Sequence, residues 1–149
     1  MHRARDLNFC FVELTTVPAD EHSDQQGIAV RVEFSYDEFG CQSAEYWKSA
    51  TYAMQWLERE NASSIRIGTA TPLKLEIAAP LLGLIRSATI GTVIEGRYAY
   101  VHATTFRLTV SSWEFSCNLS WSAELPPEWR SLQDVVQTLM LIGSETGPK

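Results

Sequence analysis

The sequence predicts a single α+β domain: a mainly antiparallel sheet of about seven strands, an aromatic-rich helix over about 44–60 and a C-terminal helix over about 127–142. Three observations carry this. Short segments alternate apolar and polar residues with the period of two that a half-buried strand demands. Two longer segments repeat apolar residues at steps of three and four. Most connections between strands are too short for the crossover that a parallel pair needs.

Leu7 to Leu14 reads as the first strand, with Leu7, Phe9 and Phe11 on one side and Cys10, Val12 and Leu14 on the other. Apolar residues on both faces place it in the middle of a sheet. Residues 15–26 hold Pro18, Asp20, Glu21, His22, Ser23 and Asp24 with no periodic apolar position, which predicts a long polar loop. Ile28, Val30, Val32, Phe34 and Tyr36 then alternate with Ala29, Arg31, Glu33, Ser35 and Asp37, a second strand. Asp37-Glu38-Phe39-Gly40 is turn chemistry, Ser43 suits a helix start, and Glu45 suits the first turn. In the helix that follows, Trp47, Ala50, Met54 and Leu57 form an apolar stripe widened by Tyr46, Ala53 and Trp56, with Asn61 as its stop. Its aromatics fill a sheet–helix interface or, in part, present ring surface to a partner.

Ile65 and Ile67, then Leu73, Leu75 and Ile77 after Pro72, predict a hairpin of two short strands. Leu81, Leu82, Leu84 and Ile85 suit a turn after Pro80, and Thr89, Ile90, Thr92, Val93 and Ile94 suit a strand. Arg97 to Val110 makes one bent strand or two, with Tyr98, Tyr100 and His102 on one face. Trp113, Phe115, Cys117, Leu119 and Trp121 alternate with Glu114, Ser116, Asn118, Ser120 and Ser122, the cleanest alternation in the chain. Pro126-Pro127 opens a helix whose stripe is Leu132, Val135, Val136, Leu139 and Ile142, ending at Gly143, and residues 144–149 form a loose tail.

With 149 residues, 45% of them hydrophobic, the chain is long enough to hold a core without a disulfide or a structural metal. No apolar run approaches the ~20 residues of a membrane span, and Met1-His2-Arg3-Ala4-Arg5-Asp6 opens no signal peptide. Cys10, Cys41 and Cys117 are odd in number and contain no C-x-x-C, which points to reduced thiols and a cytoplasmic protein.

The net charge of -6 is unevenly placed: residues 13–60 hold ten acids and three bases, whereas residues 61–149 balance seven against seven. A charge excess of this kind at the least keeps a surface solvated. It also opposes phosphate backbones, and no Lys/Arg stripe counters it, so direct nucleic-acid binding is not expected.

Evidence for chemistry is thin. Of the histidines, His2 and His22 lie in polar segments, and only His102 sits in a strand; no G-x-S-x-G elbow surrounds a serine. Asp20-Glu21-His22-Ser23-Asp24 has oxygen donors but not the spacing of a calcium loop or a zinc helix, and no glycine-rich phosphate loop occurs, so neither metal nor cofactor is expected.

The leading expectation is therefore a non-catalytic acidic binding protein that docks on and occludes a basic protein, a toxin or nucleic-acid-processing enzyme, in the manner of an immunity protein or phage-type inhibitor. Asp20, Glu21, Asp24, Asp37 and Glu38 would supply rim charges, and Tyr36, Phe39 and Tyr46 are the candidate anchors. One alternative is a curved sheet whose cavity, lined by Tyr98, Tyr100, His102 and Trp113, binds or transforms a small apolar ligand. Another is a self-associating subunit, a homodimer included, that pairs through a strand edge or an exposed aromatic.

Overall fold

A computed structural model describes residues 9–17, 27–37, 40–51, 70–91, 104–112 and 115–145. They form six strands and two α-helices: β1 (Phe9–Val17), β2 (Gly27–Asp37), β3 (Gly40–Thr51), β4 (Thr71–Leu73), α1 (Leu75–Ser87), β5 (Thr105–Ser112), β6 (Ser116–Ser122) and α2 (Gln133–Glu145). A 3-10 segment, Pro127–Leu132, leads into α2. The strands make one antiparallel sheet in the order β4-β3-β2-β1-β5-β6, with β1 in its interior.

Register sorts the side chains onto two faces. Val12 stands beside Val32 and Val110, Leu14 beside Val30 and Leu108, and Phe34 beside Ala44. These residues, with Tyr46, Leu73 and Trp121, meet Ala78, Leu81 and Leu82 of α1 and Val135, Leu139 and Ile142 of α2 in one core. Phe106 stacks on Trp121 at 5.5 Å between ring centroids, and Trp129 meets Trp121 edge-on at 6.3 Å. The segment after α1 is tied to the 3-10 turn: Thr89 N–H donates to Ser131 Oγ at 2.8 Å and the Trp129 indole N–H to the Gly91 carbonyl at 2.9 Å.

Three expectations are corrected. Residues 44–51 are strand, not helix, while 52–60 lie outside the described residues. Ala44 and Tyr46 point into the core while Trp47 is buried on the opposite face beside exposed Ser43 and Glu45, so the adjacent rings of Tyr46 and Trp47 interrupt the alternation. Pairing along β2 then decides the conformation, helped by the strand preference of Tyr, Trp and Thr. Second, of the expected strand over 73–77 only Leu73 is strand, at the end of β4, and Leu75–Ser87 is helix where the rest of that strand and a short turn were expected. Leu75 and Ile77, whose alternation suggested a strand, are 45% and 36% exposed, and the packed set is Ala78, Leu81 and Leu82 at helical spacing. Third, Thr15–Val17, read as the start of the polar loop, belongs to β1, where Thr16 Oγ1 accepts the Ile28 N–H at 3.1 Å. Six strands are present among the described residues.

The C-terminal helix stands where its stripe placed it, but its first part is the 3-10 turn, kinked at Trp129. Thr89 and Ile90, expected in a strand over 89–94, form none, and Ser144 and Glu145, expected in the loose tail, continue α2 past Gly143. The expected Ile65–Ile67 strand and residues 92–94 and 146–149 lie outside the described residues. Among the described residues no helix is long and apolar enough to cross a membrane.

Candidate functional site

Two features of the fold bear on function, one inside the sheet's second face and one at the surface. On the second face, register sets Glu13 beside Arg31 and Thr109, and Phe11 beside Glu33. Arg31 Nη1 lies 3.6 Å from Glu13 Oε2, its Nε donates to Glu33 Oε1 at 3.2 Å, and its guanidinium carbon stands 3.7 Å from the centre of the Phe11 ring. The three charged side chains are each no more than 10% exposed. Thr109, beside Glu13, donates its hydroxyl to Asn118 Oδ1 at 2.6 Å.

Burial pushes the Glu13 carboxyl up to about 7, against the pull of Arg31 and Arg107 and the hydrogen bond from Arg31. A carboxyl poised there can exchange a proton near neutrality, which suits general acid–base work, and the same arrangement serves a structural ion pair. Sequence reasoning counted Glu13 and Glu33 only as part of the acidic excess. The missed signal was a charge inside a strand already read as apolar on both faces, since such a charge must be buried and paired.

At the surface, a cleft of about 450 Å³ opens between the first residues of β3 and α1, lined by Gly40, Cys41, Gln42, Ala79, Leu82, Gly83 and Arg86. Its room comes in part from Gly83, where a Cβ would meet nothing within 4 Å. Gly40 has φ of +140°, a backbone conformation that glycine adopts freely, and it closes the turn by pairing with Asp37. The Cys41 thiol donates to the Ser43 carbonyl at 3.4 Å. Burial raises its pKa, opposed by a hydrogen bond with the Ser43 backbone and by Arg86, so it stays a thiol and is a poor nucleophile. The cleft can seat an uncharged side chain against Ala79 and Leu82.

The backbone places Tyr36 opposite Cys41 and Asp37 opposite Gly40, so the end of β2 adjoins the cleft. Tyr46, a candidate anchor, is corrected: it is 8% exposed and packs in the core, leaving no ring surface for a partner. Asp20, Glu21, Asp24, Glu38, Phe39, Tyr98, Tyr100, His102 and Trp113 lie outside the described residues. Among the described residues, no group of three His, Cys, Asp or Glu side chains could hold a metal ion. Comparison of the chain with protein-family models and with curated proteins finds no match.

Proposed function

We propose that this chain is a non-catalytic acidic protein that docks on and occludes a basic protein, with the β2–β3 turn and its cleft at the centre of contact. The observation that carries this reading is the cleft opening at Gly40, which pairs with Asp37 at the end of β2, where the sequence runs acidic. Carboxylates at a rim steer a cationic partner, and a cleft accepts the anchoring side chain that supplies most of the binding energy. Arg86 in the cleft wall fits an uncharged anchor, with cationic contacts confined to the rim. Arg31, one of three bases in residues 13–60, is occupied inside the sheet by Glu13 and Glu33, which leaves eight acids against Lys48 and Arg59.

The test is affinity capture from the native lysate at low and moderate salt with the wild-type chain, D37K/E38K and Gly83→Leu. A stoichiometric basic protein, lost at higher salt and lost with either variant, supports the reading; a partner retained by both variants removes the turn and cleft from the contact.

A ligand-binding reading has its own observation, the Glu13 carboxyl held near neutrality beside Arg31 on a face that also buries Trp47. Tyr98, Tyr100, His102 and Trp113 would be its further contacts. A small molecule retained in native mass spectrometry by the wild type and lost from Glu13→Gln, with no protein captured, reverses the ranking.

A further inference from the structure

Among the described residues, the two edges of the sheet differ in how they resist pairing. β4 is three residues long and contains Pro72, which has no N–H to offer. β6 spans seven residues, Ser116–Ser122, with neither a charge nor a proline, and runs against β5 without a bulge. Phe115, 57% exposed, stands at its head. Charged side chains, prolines and bulges are the devices that keep an edge strand from joining another, and β6 has none of them.

We infer that β6 is the interface through which two copies of this chain pair edge to edge, antiparallel about a two-fold axis at Leu119, extending the six-stranded sheet across both molecules. A second copy fits better than an unlike strand because the edge complements itself. Pairing about Leu119 sets Asn118 opposite the partner's Ser120 and Cys117 opposite the partner's Trp121. The register keeps Cys117, Leu119 and Trp121 of both copies on the same face, and no charge is buried. The force against association is the net charge of -6 on each copy. Salt screens that repulsion, so the dimer tightens as salt rises, whereas a complex with a basic protein loosens.

Sedimentation over a range of concentration and salt tests this on the full chain. The wild type is expected to dimerise, more tightly at moderate than at low salt. N118E/S120E places like charges opposite one another at both ends of the two-fold and should weaken the dimer about tenfold or more. N118K/S120E places Lys opposite Glu in the same positions and should restore it. Asn118 and Ser120 are exposed, and each variant replaces the Asn118 oxygen that accepts the Thr109 hydroxyl, so thermal unfolding of both, compared with wild type, checks that the fold is kept. If they do not fold, the outer pair S116E/S122E replaces them. A wild type that stays monomeric at every concentration and salt overturns the proposal, as does N118E/S120E dimerising as tightly as wild type. Dissociation of both double variants overturns the register at Leu119.

Discussion

Glu13 binds its proton more tightly in the folded chain than in the unfolded one, because burial costs the carboxylate more than Arg31 and Arg107 return. Linkage fixes the sign. Between an unfolded value of about 4.3 and the folded value of about 7 the native state carries the extra proton, so stability falls as pH rises through that window. The loss is complete above the folded value and is on the order of 3 kcal/mol. Glu13→Gln mimics the protonated form. Urea unfolding should find it close to wild type near pH 5, more stable than wild type near pH 8, and flatter between; a variant less stable at pH 8 would mean that the ion pair outweighs burial. Arg31→Leu acts in the other direction by stranding Glu13 and Glu33, at about 3–5 kcal/mol, most severely above neutrality where Glu13 is ionised. None of this was legible from charge counting, which sees a residue's sign and not which face of a strand it occupies.

At the scale of the element, two helical glycines make opposite predictions from the same residue type. Gly83 in α1 faces open space, so Gly83→Ala should raise stability by about 0.5–1 kcal/mol through helix preference alone. Gly143 in α2 is where that helix comes closest to the sheet, and a Cβ there would stand 2.7 Å from Val30 Cγ2. Gly143→Ala should therefore cost about 1–3 kcal/mol despite the same preference, and Val30→Ala should recover part of the loss in the double variant, as thermal unfolding would show. The sequence marked Gly143 as a helix end; its role as a contact with β2 needed the third dimension. Strands β1, β2, β5 and β6 were readable because each shows its two-residue period somewhere along its length. β3 and α1 were not. In β3 the adjacent Tyr46 and Trp47 are buried on opposite faces, which interrupts the steps of two and leaves steps of three and four as visible. The helix α1 begins with exposed Leu75 and Ile77, whose alternation carries no packing information.

For the whole molecule, antiparallel pairing followed from short connections, but the strand order did not, because β5 joins β1 across the length of the chain and no local period records that. The candidate site was legible in part for the same reason: the acidic turn is contiguous in sequence, while its cleft needs α1 to lie against β3. Charge is the property that acts at this scale, and it separates the two associations inferred above. Screening at about 0.1 M salt confines exposed charges to interactions within roughly 10 Å. A complex held by rim carboxylates against a cationic surface must weaken over that range, mainly through slower association, and D37K/E38K should lower its on-rate and flatten its salt dependence. An edge-to-edge dimer of two negatively charged copies must strengthen over the same range, and D37K/E38K should ease its repulsion by changing the net charge from -6 to -2, four units from two reversals. Stopped-flow association with the captured partner and sedimentation of the chain alone, run on the same two proteins in the same salt series, should therefore give slopes of opposite sign. Slopes of the same sign would place a single electrostatic surface behind both events, which the separation of the β2–β3 turn from β6 by two intervening strands does not allow.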